Sequence, residues 1–111
     1  MRRGEVWWAR FPEHVEPLHP VLLLSWDSGE DFRDQVTVAQ ITSTVRGLDA
    51  EVTLGPADGL LKECVANLDG IATIYRGALD TRLCTLSGRR MKEIEVAIHH
   101  ALGIPLPCTV A

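Results

Sequence analysis

Histidine and cysteine are the residue types in this chain that most readily bind metals or transfer protons near neutral pH. His99 and His100 are adjacent on a predicted helix and therefore point in different directions. His14 and His19 lie in a predicted loop, without a cysteine or carboxylate at metal-ligand spacing. The cysteines are widely separated and form no Cys-x-x-Cys pair: Cys64, Cys84 and Cys108. The sequence therefore predicts neither a metal site nor a disulfide framework.

The elements that must position these residues are mostly strands. Stretches rich in β-branched and aromatic residues alternate with turns that contain glycine or proline. They predict seven short strands, at residues 4–11, 21–25, 36–42, 51–54, 64–68, 71–75 and 79–83. The second of these is apolar from Val21 to Leu24, which indicates a strand buried on both faces.

The C-terminal region is predicted to form a helix over about residues 88–102. Ser87 is a suitable N-cap and Gly103 a suitable C-cap. Apolar residues recur along one face at steps of three and four: Met91, Ile94, Ile98 and Leu102. Short strands with one terminal helix indicate a mainly β fold, a small curved sheet or barrel whose open side the helix plugs. Such a barrel has no deep cavity, so we expect binding in a surface groove or in a groove shared between subunits.

Size and composition restrict the class of protein. The chain has 111 residues, of which 46% are hydrophobic, enough for one domain with a core of marginal area. No apolar run approaches the 18 or so residues needed to cross a bilayer. Arg2 and Arg3 resemble the start of a signal peptide, but Glu5 and Arg10 interrupt its apolar region. We therefore expect a cytoplasmic protein with no membrane partner.

The charge is unevenly distributed. The formal net charge of −4 argues at first against a polyanionic partner. However, residues 13–34 carry six acidic side chains and one arginine, whereas residues 76–92 carry five basic side chains and one acid. Nine of the 11 basic residues are arginine, the type suited to bidentate phosphate contacts. Net charge alone therefore does not exclude a nucleic acid.

Four segments of the chain carry a family resemblance. They are Arg3-Gly4-Glu5-Val6-Trp7, His19-Pro20-Val21-Leu22-Leu23-Leu24-Ser25, Val38-Ala39-Gln40-Ile41-Thr42-Ser43 and Val65-Ala66-Asn67-Leu68-Asp69-Gly70-Ile71-Ala72-Thr73-Ile74. In this order and spacing they resemble the MazF/PemK family of bacterial toxin–antitoxin ribonucleases. The resemblance covers residues 3–103, nearly the whole chain.

The resemblance implies an SH3-like barrel, a homodimer, and an endoribonuclease that cuts single-stranded RNA at short sequences without a metal or other cofactor. The products it implies are 2′,3′-cyclic phosphate and 5′-hydroxyl ends. It also implies neutralisation by a cognate antitoxin, whose acidic segment occupies the RNA groove. We therefore expect one SH3-like domain at residues 1–104 and a tail at residues 105–111.

Thr42 and His19 are the expected catalytic residues. Thr42 matches the family's functional threonine and can offer its hydroxyl to a phosphate oxygen; by residue type alone it is a β-branched residue ending a strand. His19 stands where the family usually has arginine. Arginine stabilises charge but is a poor base, whereas histidine suits proton transfer near neutral pH and lacks the fixed fork. His19 is thus expected to retain a catalytic role shifted toward acid–base work, or else to mark a member with weakened activity.

Other matched positions are expected to contact RNA. They are Trp26, Ser43, Arg46, Asn67 and Asp69. Asn67 can reach a base edge and Asp69 can accept from a base amine or orient His19, although both types also suit a turn. Arg46 can clamp phosphate in part-replacement of the missing arginine, or be a solvated charge. Trp26 can stack on an unpaired base or simply anchor its loop.

The loop before His19 departs from the family pattern. Glu13, His14 or Glu16 can supply a second titrating group there, but no position matches the family, and a solvated acidic loop is the simpler interpretation. Gly70 stands where glutamine or asparagine is common, so one side-chain contact is expected to be missing.

Two functions of other classes compete with the ribonuclease. One is a non-enzymatic inhibitor on the same barrel, such as a CcdB-like gyrase poison, or a catalytically weakened member that only binds RNA. The segment after the helix, Gly103-Ile104-Pro105-Leu106-Pro107, lacks the Trp-Gly-x-Ile type of ending associated with CcdB-like proteins. The other is an SH3-like adaptor, which normally presents a clustered aromatic peptide groove. The six aromatic residues here are scattered.

Overall fold

A computed structural model describes residues 1–25 and 34–106 of the protein. Within these ranges the chain forms one antiparallel sheet of six strands, followed by one α-helix. The strands are β1 (Glu5–Arg10), β2 (Leu18–Leu23), β3 (Gln35–Thr42), β4 (Glu51–Leu54), β5 (Cys64–Tyr75) and β6 (Leu79–Thr85), and the helix is α1 (Gly88–Leu102). The strand order across the sheet is β4-β5-β3-β2-β1-β6.

The sheet ends at β4 on one side and at β6 on the other. In the described part of the chain these two edge strands do not pair with each other, so the predicted SH3-like barrel is not closed. The expected class, a mainly β fold with a C-terminal helix, is confirmed. Helix α1 packs against β5 and β4 and therefore covers the sheet near one edge.

Two strands differ from the sequence prediction. β2 begins at Leu18, so the prediction that His19 lies in a loop is wrong: its neighbour Pro20 pairs with Trp8, and His19 itself pairs with Ala9 of β1. The two strands expected at 64–68 and 71–75 are one continuous strand, β5. A shift in the β3–β5 register, from Ala39 opposite Ile71 to Gln40 opposite Asn67, forms a bulge between them. The bulge includes Asp69 and Gly70, whose residue types predict a turn from the sequence alone.

The sheet buries apolar side chains on both faces. One cluster lies beneath α1 and contains residues from five strands and the helix: Val6, Leu22, Ala39, Ile41, Val52, Leu54, Leu60, Cys64, Ala66, Leu68, Leu86, Ile94 and Ala97. The second contains Ala9, Val21, Leu23, Val36, Val38 and Leu79. In β2, Leu22 belongs to the first cluster while Val21 and Leu23 belong to the second. This confirms the prediction of a strand buried on both faces.

Glu5, in the first segment of the resemblance, has a structural role. Only 7% of Glu5 is exposed, and its carboxylate accepts from Trp7 Nε1 at 3.0 Å, the Arg2 N–H at 2.9 Å and Arg82 Nη1 at 3.2 Å. Burial raises the pKa of Glu5, but these hydrogen bonds outweigh it and hold the pKa below its ordinary value. Glu5 therefore ties the N-terminus to strands β1 and β6.

Helix α1 begins and ends as the sequence predicts. Ser87 Oγ accepts from the Arg90 N–H at 3.2 Å, and Gly103 adopts a positive φ of 67° at the C-cap. Ile94 and Ala97 are buried against the sheet. In residues 1–25 and 34–106, no helix is long and apolar enough to cross a membrane.

Candidate active site

A surface groove of about 410 Å³ opens where strands β2 and β3 meet the segment between β4 and β5. Its lining combines polar side chains with an apolar floor: Trp8, Glu16, Leu18, His19, Pro20, Gln40, Ile41, Thr42, Ser43, Leu60, Leu61, Lys62, Cys64 and Leu83. The volume is in the range of sites for small ligands, about 300–1,000 Å³. His19, Thr42 and Ser43, all singled out in the sequence, therefore line one groove.

The sheet register brings His19 and Thr42 together. β2 pairs with β3 so that Val21 lies opposite Gln40 and Leu22 opposite Ala39. Continued two residues past the last pair, this register sets His19 level with Thr42. Side chains two residues apart on a strand share a face, so both project on the side of the sheet that carries Val21 and Gln40. Both residues are half-buried.

The hydroxyl of Thr42 is fixed by its own chain. Thr42 Oγ1 accepts from the Thr44 N–H at 3.2 Å, a local turn that forms as β3 ends. Because that bond uses an oxygen lone pair, the hydroxyl hydrogen remains available for an acceptor in the groove. The arrangement suits a hydrogen bond to a phosphate oxygen.

Charged groups also line the groove. Among the described residues that line it, Lys62 is the one lysine or arginine, and Glu16 is the one carboxylate. Lys62 follows the 3-10 turn Pro56–Asp58 and is exposed. Sequence reasoning missed Lys62, because nothing in its local sequence separates it from an ordinary surface lysine. Thr42 and Lys62 are far apart in the sequence, and only the fold brings them to the same groove.

Three residues expected to contact RNA lie outside the lining of this groove. Arg46 is exposed on the segment after β3, and its N–H donates to the Glu51 carboxylate at 3.0 Å. Asn67 and Asp69 lie at the β5 bulge, where Asn67 Oδ1 accepts from the Asp69 N–H at 3.0 Å. This is the turn-forming geometry that their residue types allowed. Trp26 lies outside the described residues.

The bulge also gives a reason for glycine at position 70. A Cβ placed on Gly70 lies 3.1 Å from both Cβ and Oε1 of Gln40, and 3.3 Å from the Asn67 carbonyl oxygen. These contacts are tighter than a side chain normally makes, so glycine lets β5 pass close to Gln40. Gln40 in turn lines the groove.

The loop between β1 and β2 places a second histidine beside His19. His14 Nδ1 lies 3.3 Å from His19 Nε2. The ring of Phe11 stacks on His14 with centroids 5.4 Å apart, and its centroid is 5.9 Å from that of His19. His14 Nε2 lies 3.9 Å from Glu13 Oε1. Sequence reasoning kept His14 only as one of three loop candidates, since the folding of the loop back onto β2 has no local signal.

Cys64 lines the groove as an apolar wall. It is buried, and burial raises the pKa of its thiol, with the nearby Asp58 carboxylate adding to the shift. The thiol is therefore protonated near neutral pH. In the described ranges no three histidine, cysteine, aspartate or glutamate side chains are close enough together to hold a metal ion.

Comparison with known proteins identifies the family. The family described as PemK-like, MazF-like toxin of type II toxin-antitoxin system matches residues 2–102. The chain belongs to this family. Among curated relatives, the PemK/MazF-like chain is 36% identical over 101 residues to the probable endoribonuclease MazF5 of Mycobacterium tuberculosis, covering 90% of this chain and 91% of the relative. It is 38% identical over 94 residues to the probable endoribonuclease MazF2 of the same species, covering 84% and 89%.

A solved structure of a PemK/MazF-like relative has the same fold. It is a mycobacterial endoribonuclease in complex with its cognate antitoxin, which superposes with a TM-score of 0.81 at 27% identity, covering 96% of this chain and 99% of the relative. The resemblance seen in four sequence segments is thereby confirmed over the whole fold of this toxin family member.

Proposed function

We propose that this PemK/MazF-like toxin is an endoribonuclease that cleaves single-stranded RNA by attack of a ribose 2′-hydroxyl on the adjacent phosphorus. The observation that carries the proposal is the convergence of His19, Thr42 and Lys62 on one groove. The relatives named endoribonucleases support the reaction class. The family match also favours this function over a gyrase poison or an SH3-like adaptor.

The reaction needs one proton removed and one delivered. As the O2′–P bond forms, the 2′-hydroxyl loses its proton; as the P–O5′ bond breaks, the leaving oxygen gains one. A half-buried imidazole at His19 is suited to accept the first proton near neutral pH. The ammonium of Lys62 is suited to deliver the second. The products are a 2′,3′-cyclic phosphate and a 5′-hydroxyl end.

The negative charge that develops on the phosphorane oxygens must be stabilised by hydrogen-bond donors or by positive charge. Thr42 supplies a hydroxyl whose oxygen is already held by the Thr44 N–H, and Lys62 supplies a positive charge. The resemblance implies that an arginine usually serves in both proton transfer and phosphate clamping, so we propose that here His19 takes the proton and Lys62 supplies the positive charge. A reaction built on these side chains requires no metal ion as a cofactor.

The groove and the family membership also support two protein partners, an antitoxin and a second copy of the chain. We propose that a cognate antitoxin neutralises the toxin, as in the mycobacterial toxin–antitoxin complex to which the fold is similar. We propose in addition that residues 1–104 act as one domain in a homodimer in the cytoplasm, with residues 105–111 as a tail. A dimer adds buried area to a small core and extends the groove.

The deciding experiment incubates the purified protein with a long single-stranded RNA in EDTA and characterises the ends. Discrete cuts that leave 2′,3′-cyclic phosphate and 5′-hydroxyl ends are expected, and His19→Ala is expected to abolish them. Intact RNA from dimeric, folded protein contradicts the proposal. RNA that is bound but left intact instead identifies a binding-only member.

A further inference from the structure

The β1–β2 loop is folded so that His14 faces His19. The Phe11 N–H donates to the Pro17 carbonyl at 2.6 Å, and the His14 N–H donates to the Phe11 carbonyl at 3.0 Å. The Phe11 ring stacks on His14 with an interplanar angle of 24°. The His14 and His19 rings meet nearly edge to face, with centroids 5.2 Å apart and planes at 76°. Backbone and ring contacts together therefore hold His14 against the histidine of the groove.

The contact between the rings couples their protonation. A hydrogen bond between His14 Nδ1 and His19 Nε2 requires that one nitrogen carry the proton and the other a lone pair. Since Nε2 of His19 is engaged by His14, the ring nitrogen of His19 that remains for a substrate is Nδ1. Only the tautomer with a proton on Nε2 leaves a lone pair on Nδ1 for use as a base.

We propose that His14 is the positioning residue for His19: its unprotonated Nδ1 accepts from His19 Nε2–H and so presents His19 Nδ1 to the groove as a base. The inference rests on the proposed ribonuclease function. When His19 Nδ1 takes the 2′-hydroxyl proton, His19 becomes an imidazolium with protons on both nitrogens. The Nε2–H bond to neutral His14 then stabilises that cation, as the third group of a triad orients and stabilises a catalytic histidine.

His14 differs from a catalytic residue because it is absent from the lining of the groove, whereas His19 is part of it. Its outer nitrogen, Nε2, lies 3.9 Å from the Glu13 carboxylate. In the working state this nitrogen carries the proton of neutral His14, directed toward an acidic neighbour. The sequence left two interpretations of the short acidic loop, a source of a second titrating group or a solvated segment, and this assignment favours the first for His14.

The assignment predicts a loss of activity in acid. Once His14 itself takes a proton, its Nδ1 donates rather than accepts, and two imidazolium rings in contact repel each other. The charged groups near the pair are Glu13, which lies 3.9 Å from His14, and Glu16 and Lys62, which line the same groove as His19.

The test uses two substitutions that separate ring packing from hydrogen bonding. His14→Phe keeps a ring against Phe11 and His19 but has no nitrogen. His14→Gln removes the ring but offers an amide oxygen as an acceptor that does not titrate. His100→Phe, an exposed histidine on α1 outside the groove, is the matched control. Circular dichroism checks that each variant is folded.

Steady-state RNA cleavage measured from pH 5 to 9 is the first readout. His14→Phe is expected to lower kcat about 10- to 100-fold, the usual effect of removing a group that orients a functional side chain, with KM little changed. His14→Gln is expected to recover much of the rate and to lose less activity in acid than the unaltered protein. The proposal is overturned if wild-type protein cleaves RNA and His14→Phe matches His100→Phe throughout the pH range.

Nitrogen-15 NMR of the histidine rings is the second readout and needs no activity. The unaltered protein is expected to show His19 protonated on Nε2 in its neutral form, and His14→Phe to shift that tautomer population. An unchanged His19 tautomer overturns the positioning role even if RNA is cleaved. If no RNA is cleaved by any form, the ribonuclease proposal fails while the NMR result still decides the histidine contact.

Discussion

His19 of β2 and Thr42 of β3 line the same groove, and each lies two residues beyond the Val21–Gln40 pair that ends the contact between these antiparallel strands. Their relation is fixed by the pairs Val21–Gln40 and Leu22–Ala39. Leu22 and Ala39 are completely buried in the cluster beneath α1, so a shift of the register by one residue would move core side chains to the opposite face of the sheet. The packing of the core therefore sets the geometry of the candidate active site.

Replacing Thr42 by valine tests the hydroxyl without changing the shape of the side chain. We expect kcat for RNA cleavage to fall about 100-fold, the scale seen when one donor to a developing oxyanion is removed, with a small change in KM. Thr53→Val on the exposed face of β4 is the control. Equal kcat values for the two variants would remove Thr42 from the mechanism.

Replacing Lys62 by glutamine tests the positive charge of the groove. RNA binding should weaken, and the slope of log K against log salt should become shallower by about 0.7, the value for one phosphate contact on a single strand. Fluorescence anisotropy with a labelled RNA at several salt concentrations measures both quantities. Lys92→Gln, on α1 and outside this groove, should leave the slope unchanged.

Replacing Gly59 by alanine tests the packing behind the groove. Gly59 has a φ of 98°, and a Cβ there lies 2.6 Å from Cys84 Cβ, whereas Gly47 has a φ of 71° with nothing within 4 Å. Gly47→Ala should therefore cost only the backbone strain, about 1 kcal/mol. Gly59→Ala should cost about 1–3 kcal/mol more, because the new methyl group overlaps a side chain. Urea denaturation measures the two, and equal losses would contradict the predicted overlap.

The ion pair between Asp58 and Arg90 should make stability depend on pH. Arg90 Nε donates to Asp58 Oδ1 at 2.9 Å and joins α1 to the turn before Lys62. The hydrogen bond from Arg90, opposed by burial and aided by the Gly55 N–H, holds the pKa of Asp58 below its ordinary value of 3.8. Because the folded pKa is depressed, the stabilisation is present above that ordinary value and is lost as pH falls through the folded pKa.

Asp58→Asn measures that stabilisation. At pH 7 we expect it to lower the free energy of unfolding by about 1.5–3 kcal/mol, the range for hydrogen bonds to charged groups. The difference from the unaltered protein should shrink as the pH falls below about 4. Asp80→Asn, which removes the more exposed pair Arg10–Asp80, should cost no more than about 1 kcal/mol. A constant difference across the pH range would show that the pKa of Asp58 is the same in the folded and unfolded states and is therefore not depressed by folding.

Elements with local signals could be predicted from the sequence. Ser87 and Gly103 marked the ends of α1 through capping geometry, and the apolar run from Val21 to Leu24 marked a strand buried on both faces. The order of four segments identified the family. Thr42 was recognised as the end of a strand and as a candidate donor, since both properties depend on the residue and its immediate neighbours.

Features that depend on contacts between distant segments could not be predicted and emerge only from the folded chain. Pairing with β1 extends β2 so that it begins before His19. Pairing with β3 joins the two halves of β5 through a bulge. Both strands are therefore longer than local propensity predicts. The fold also places Lys62 in the groove and His14 against His19. Side chains from separate loops meet only when the sheet register and the core bring them together, and no local pattern in the sequence contains that information.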